Sequence, residues 1–201
     1  MANAIRKLVV MGIVAIGLAG TTPAAFGGEP ELSAMRILVI NKAGVPPPDV
    51  LVRAQAETAR IYAAVGVRLV WTDPLSFFSR LTMMIVPTSN LELTKGAADA
   101  MGAAPAADEG TGRLAYAFYD RIEASAQLHG ADPAKVLGYV MAHELGHILL
   151  ARGSHSAEGI MNGRWGEFEM DLVAASLLRF TKAQATSIRS TVDDLNAEHK
   201  R

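Results

Sequence analysis

Three of the chain's five histidines fall within one short stretch, "HELGHILLARGSHS", together with a glutamate. His143 and His147 are four residues apart, so on a helix both imidazoles lie on one face and can bind the same metal ion. Glu144 lies one position further round and flanks that ion without having to bind it. In the HExxH pattern the two histidines bind zinc and the glutamate is the general base. The stretch therefore predicts a zinc site with hydrolytic chemistry.

A plainer interpretation is a helix that carries its histidines only for packing. The residues around them are apolar on nearly every side, from Val136 and Leu137 to Ile148 and Leu149, which predicts a buried helix. Buried histidines and a buried glutamate each need a polar partner. Because one metal ion would provide a partner for all three, the metal site is the favoured interpretation.

A catalytic zinc ion usually has three protein ligands and one open position, so a third ligand must come from elsewhere in the chain. Two residues are candidates. His155 follows Gly153, where the helix could break and return the chain to the metal, and it would complete a three-histidine site. Glu167 lies 24 residues after His143 in a predicted second helix, and it would complete a site of two histidines and one glutamate.

The order of these residues, HELGH followed by GSHS and GIM, resembles that of the metzincin zinc endopeptidases, especially the matrixins. In those proteins HExxHxxGxxH is followed by a short loop and by a tight turn that carries a methionine beneath the metal. The resemblance implies that His155 is the third ligand. It also implies that Met161, after Gly159, is the methionine of the turn.

One spacing departs from the family pattern. The family places its third histidine six positions after the second, whereas His155 lies eight positions after His147. Two additional residues would lengthen the helix by ~3 Å, unless they lie in the turn that follows it. Glu167 is at about the spacing that the thermolysin-like gluzincins use, so it remains the alternative third ligand.

The rest of the chain predicts an α+β fold around this helix. Asp132 and Pro133 form a helix-start signal, with aspartate as the N-cap and proline at the first helical position. The stretch 95–112 is rich in alanine and glycine and predicts a surface loop. Apolar or alternating stretches predict strands at 35–45, 67–71, 81–86 and 113–119. Helical patterns and capping signals predict helices at 49–64, 134–150, 167–179 and 181–199.

The resemblance adds an arrangement to these elements. It implies a metzincin-like fold with a twisted mixed sheet, an active-site helix and a small C-terminal helical subdomain after Gly153. It implies a cleft between the two parts with zinc at its floor. It also makes the strand at 113–119 the edge that pairs with an extended substrate.

The N-terminus predicts export. Arg6 and Lys7 precede an apolar run of about a dozen residues, and small residues follow, which is the layout of a secretory signal peptide over 1–27. The run is shorter than the ~20 residues that span a bilayer, so no membrane anchor is expected after cleavage. The remaining residues, 28–201, suffice for a single catalytic domain. The chain has no cysteine, so this domain would have no disulfides.

The expected function is that of a secreted or periplasmic zinc endopeptidase, which hydrolyses peptide bonds with a zinc-activated water and Glu144 as general base. The zinc ligands would be His143, His147 and His155. The partner would be a protein or peptide substrate, and the protein would be a monomer. A net charge of −1 gives no electrostatic basis for nucleic-acid binding. Two alternatives are a gluzincin-type hydrolase with Glu167 as third ligand and a non-catalytic, zinc-stabilised secreted binding protein.

Overall fold

One mixed β-sheet supports the histidine helix in the computed structural model of the protein, which describes residues 32–72, 81–88, 99–105, 113–150 and 154–198. The strands are β1 (Ser33–Asn41), β2 (Val67–Thr72), β3 (Leu81–Val86), β4 (Gly102–Ala103) and β5 (Leu114–Phe118). Their order across the sheet is β2-β1-β3-β5-β4. Neighbouring strands are parallel except for β4, which runs antiparallel to β5. The described chain therefore has a mixed α/β fold.

Burial alternates along the strands, as expected when one face of a sheet packs on the core. In β3, Leu81, Met83 and Ile85 are buried and the residues between them are half-buried. In β1, Met35 and Ile37 are buried, whereas the residue between them is exposed. The buried side chains of both strands belong to one hydrophobic core.

Five α-helices lie within the described residues. They are α1 (Pro48–Ala63), α2 (Tyr119–Leu128), α3 (Pro133–Leu149), α4 (Glu167–Ala174) and α5 (Lys182–Glu198). Buried residues of α4 and α5 belong to the same core as the sheet. No described helix combines the length and the apolar character needed to cross a membrane.

Helix α3 carries the HExxH pattern, and its predicted start is confirmed. The Asp132 carboxylate accepts a hydrogen bond from the backbone N–H of Ala134 at 2.9 Å, and Pro133 is the first helical residue. Helix α1 packs closely against α3, since a Cβ at Gly138 would lie only 2.9 Å from the carbonyl oxygen of Ala54. The Tyr62 hydroxyl of α1 donates a hydrogen bond to the Ala142 carbonyl at 3.1 Å. These contacts fix the helix that positions the first two histidines.

The strand predicted at 113–119 is present as β5, but its predicted role as the sheet edge is wrong. Strand β4, inside the stretch predicted as a loop, pairs with β5 through Gly102 opposite Ala117 and Ala103 opposite Tyr116. Two residues of β4 therefore occupy the hydrogen-bonding edge of β5. Among the described strands, β4 is the outermost on this side.

Helix α4 begins at Glu167 as predicted but ends at Ala174, five residues earlier than expected. Ser176 adopts a left-handed conformation with φ of 58°. The N–H groups of Ser176 and Leu177 donate to the carbonyls of Val173 and Leu172. This is the Schellman arrangement that terminates helices, and it usually has glycine where Ser176 lies.

The predicted capping box of the last helix is confirmed. The Gln184 side chain accepts from the Thr181 N–H at 2.9 Å, and the Thr181 hydroxyl accepts from the Gln184 N–H at 3.3 Å. The predicted signal peptide at 1–27 and the helix break at Gly153 lie outside the described residues.

Candidate metal centre

His143, His147 and His155 come together in the folded chain. One ring nitrogen from each lies within 4.8 Å of one from both others, and together they could hold a metal ion. The first two come from successive turns of α3, as the four-residue spacing predicts. The third comes from the segment that follows the helix.

Hydrogen bonds orient the two helical imidazoles. The Nδ1–H of His143 donates to the carbonyl oxygen of Ile160 at 2.6 Å, which leaves Nε2 with a free lone pair. His147 Nδ1 lies 2.8 Å from the Ser154 hydroxyl. Metal-binding histidines commonly engage their second nitrogen in this way, which fixes both tautomer and ring orientation.

The geometry of the pair fits one shared ion. The Nε2 atoms of His143 and His147 are 3.0 Å apart. Two nitrogen ligands at about 2.0–2.1 Å from a tetrahedral zinc ion are about 3.3 Å from each other. The observed separation is close to this value, so the residues present fit a metal ion without a large rearrangement.

Burial keeps both imidazoles uncharged at neutral pH. It lowers the pKa of His143 to about 4. Burial, with the neighbouring histidines as a further cause, lowers the pKa of His147 to about 3. Neutral imidazole is the form that binds metals, so protons compete little for these nitrogens near neutral pH.

The Glu144 carboxylate is buried beside this cluster. The residue is 5 % exposed, and its Oε2 atom has no hydrogen-bond partner among the described residues. Burial raises the pKa of Glu144 to about 8. The side chain packs against β4 and lines the same cavity as the histidines. A buried carboxyl group with a raised pKa in a cavity is a candidate for acid–base chemistry.

A tight turn follows His155. The Asn162 N–H donates to the Gly159 carbonyl at 3.0 Å, and Ser156 N–H donates to the Met161 carbonyl at 2.9 Å. Gly159 has φ of +74°, and a Cβ there would lie 2.5 Å from the Arg179 carbonyl oxygen. Both the conformation and the close approach therefore require glycine.

Met161 is fully buried beneath the histidine helix. A Cβ at Gly146, the residue before His147, would lie 2.6 Å from the Met161 sulfur. The methionine thus packs on the α3 backbone between the two helical histidines. Met161 therefore lies in the turn after His155 and packs on the backbone of the histidine helix.

Glu167, the alternative third ligand, is not part of the cluster. It is the exposed first residue of α4, and the donor group found among the described residues consists of the three histidines alone. An acidic residue in the first turn of a helix interacts favourably with the helix dipole, which accounts for Glu167 without a metal.

A cavity of about 750 Å³ opens onto the histidines and Glu144. Its walls are β4 with the residues before it, the segment from Asn162 to Trp165, and one face of α2. Helix α2, which the sequence patterns did not predict, contributes Arg121, Ala124, Ser125 and Leu128. These positions recur at intervals of three and four residues, which is the spacing of one helix face.

The chain matches no protein-family model, and a search of curated proteins finds no similar sequence. The fold and the site describe a mixed α/β protein with a candidate three-histidine metal centre in a cavity. Any finer assignment depends on the chemistry of that centre.

Proposed function

We propose that the protein is a zinc-dependent endopeptidase of the metzincin type, which acts after export. The observation that carries the proposal is the joint placement of three histidine nitrogens and the buried Glu144 carboxyl group at one cavity. The sequence pattern of residues 1–27 supports export.

The donor set favours zinc. Imidazole suits zinc, copper, iron and nickel, and three histidines with one open position form a common catalytic zinc site. When bound, the ion supplies Lewis acidity, which acidifies water and polarises a carbonyl group. His143, His147 and His155 would hold it. The hydrogen bond that His143 donates to the Ile160 carbonyl, and the one between His147 and the Ser154 hydroxyl, would keep two of the rings aligned.

Glu144 is the proposed general base. It accepts a proton from the attacking water and passes it to the nitrogen of the leaving amine. Its pKa of about 8 belongs to the metal-free protein, and the positive charge of a bound ion would lower that pKa and favour the ionised form that accepts a proton. Burial also separates the carboxyl group from bulk solvent, so few other proton donors compete with it.

Two features support an extended peptide as substrate. The cavity of about 750 Å³ is large enough for a side chain next to the scissile bond. Strand β4 is the outermost described strand at the cavity wall, and an extended peptide can add to such an edge through backbone hydrogen bonds. We propose that β4, rather than β5, presents this edge to the substrate.

The ligand assignment is tested by metal content. Purified wild-type protein and the variants His155→Ala and Glu167→Ala are loaded with zinc, dialysed and measured by mass spectrometry. We expect near one zinc per chain in the wild type and in Glu167→Ala, and a large loss in His155→Ala. The reverse order would favour the gluzincin alternative.

The catalytic assignment is tested with Glu144→Ala. Zinc content should be unchanged because this residue is not a ligand. Hydrolysis of a general protein substrate should fall by roughly 10²–10⁴-fold, the range typical of lost acid–base catalysis. Equal turnover by variant and wild type would contradict the mechanism. Zinc binding without any peptide cleavage by the wild type would favour a non-catalytic binding protein.

A further inference from the structure

We propose that Glu169 is a positioning residue for the third metal ligand, and that it acts through Asn162 on the segment against which the His155 ring packs. The inference rests on the proposed metal centre. Glu169 lies in the first turn of α4 and is not among the candidate ligands.

Both carboxylate oxygens of Glu169 are used to hold one short segment. Oε1 accepts a hydrogen bond from the Asn162 side-chain amide at 2.9 Å, and Oε2 accepts one from the Gly166 N–H at 3.0 Å. The Asn162 side-chain oxygen accepts from the Arg164 N–H at 3.1 Å. Glu169 and Asn162 together therefore fix the backbone from 162 to 166 at both ends.

This segment supports His155 directly. A Cβ at Gly163 would lie 3.0 Å from His155 Nδ1 and 3.2 Å from the neighbouring ring carbons, so the imidazole rests against the Gly163 backbone. Asn162 also forms a parallel β-bridge with Ser156, the residue after His155. A shift of Asn162 would consequently move the Gly163 backbone against which the His155 ring rests, and also the Ser156 backbone next to His155.

His155 depends on such support more than the other two ligands do. His143 and His147 belong to a buried helix, whereas His155 lies outside any helix or strand and is exposed. Gln184 supplies a second anchor, since its side-chain amide donates to the Ser156 hydroxyl at 3.0 Å. Loss of Glu169 should therefore loosen the ligand without releasing the whole segment.

The test measures zinc affinity by chelator competition for wild type, Glu169→Ala, Glu169→Gln and Asn162→Ala. We expect Glu169→Ala to bind zinc 10–100-fold more weakly, the usual effect of removing a residue that orients a ligand. Glu169→Gln retains one acceptor oxygen and should recover part of this loss. Because Glu169 acts mainly through Asn162, the double variant Glu169→Ala/Asn162→Ala should lose much less affinity than the sum of the two single losses.

A cobalt spectrum and a control variant distinguish a positioning role of Glu169 from a general effect on protein stability. Cobalt substituted for zinc should give a visible spectrum that differs between Glu169→Ala and the wild type, because its bands report ligand geometry. Asn196→Ala removes a 3.0 Å hydrogen bond to the Ala34 carbonyl far along the chain from the ligands, and it should alter thermal stability but neither affinity nor spectrum.

Zinc affinity of Glu169→Ala within about twofold of the wild type would overturn the inference, as would additive losses in the double variant. If Glu169→Ala does not fold, the cobalt spectrum and affinity of Glu169→Gln decide the question in the same way. Absence of zinc binding in the wild type would instead refute the proposed function together with this inference.

Discussion

The Glu144 side chain lies against the backbone of β4 at Gly102, and the contact leaves no room for a methyl group. A Cβ at Gly102 would lie 2.6 Å from both Cγ and Oε1 of Glu144 and 2.7 Å from the carbonyl oxygen of Tyr116. Movement of the glutamate side chain would not relieve the contact with the Tyr116 carbonyl of β5, so the substitution must shift both the Glu144 side chain and the pairing of β4 with β5. Gly102→Ala should therefore displace the proposed general base without touching a metal ligand.

The expected effects of this substitution differ between stability, metal binding and catalysis. Inserting a methyl group into a filled site costs about 1–3 kcal/mol of unfolding free energy. A displacement of about 1 Å in a catalytic group lowers turnover by roughly 100-fold. The three histidines keep their positions on α3 and after it, so the zinc dissociation constant should change by less than about twofold.

Three measurements on Gly102→Ala test this reasoning: zinc content, thermal unfolding, and kcat/KM for a fluorogenic protein substrate. Gly130→Ala is the control: nothing lies within 4 Å of its Cβ, but its φ of +61° strains an alanine. We expect the control to lose some stability while its zinc content and kcat/KM match those of the wild type. Full activity of Gly102→Ala would refute the proposed position of the base. An activity loss that merely follows a loss of zinc would also refute it.

Three further predictions concern the surroundings of the site. Gly146→Ala brings a methyl group to 2.6 Å from the Met161 sulfur, so the free energy of unfolding of the metal-free protein should fall by about 1–3 kcal/mol, which thermal unfolding would measure. In a Trp71→Phe variant, zinc should change the fluorescence of Trp165, whose ring lies 5.8 Å from that of a candidate ligand; an unchanged spectrum would contradict the site. The hydrogen bond from Arg60 lowers the pKa of Glu57 below 4.5, so the folded state favours the ionised form. Above that pH, the free energy of unfolding of the wild type should exceed that of Glu57→Gln by at most about 1 kcal/mol, and this difference should disappear as the pH falls below it. Urea unfolding at two pH values would measure the difference.

Helix α3 could be predicted from the sequence because all its signals are local. Asp132 and Pro133 begin it, the apolar residues recur around it, and it ends at Leu149, one residue from the prediction. The shared face of His143 and His147 follows from helix geometry alone. Local patterns thus sufficed for two of the three candidate ligands.

Elements and helix ends without local signals were missed. Helix α2 follows β5 directly, and its N-cap residue, Phe118, makes no side-chain capping bond. Helix α4 ends at a left-handed Ser176, a position where the sequence offers no glycine to mark the end. Strand β4 has two residues and exists only through its pairing with β5. Each of these features depends on contacts that a sequence pattern does not contain.

The placement of His155 shows how a spacing that departs from a family pattern can still yield the same donor group. Because α3 ends at Leu149 and Leu150 is extended, the two additional residues do not lengthen the helix. The ring is then held by what lies after it: the Ser156–Met161 backbone hydrogen bond, the bridge to Asn162 and the Gly163 surface. Contacts downstream, rather than the distance from His147, therefore determine where the third imidazole lies. The three ring nitrogens meet within 4.8 Å although the spacing of the histidines differs from that of the motif.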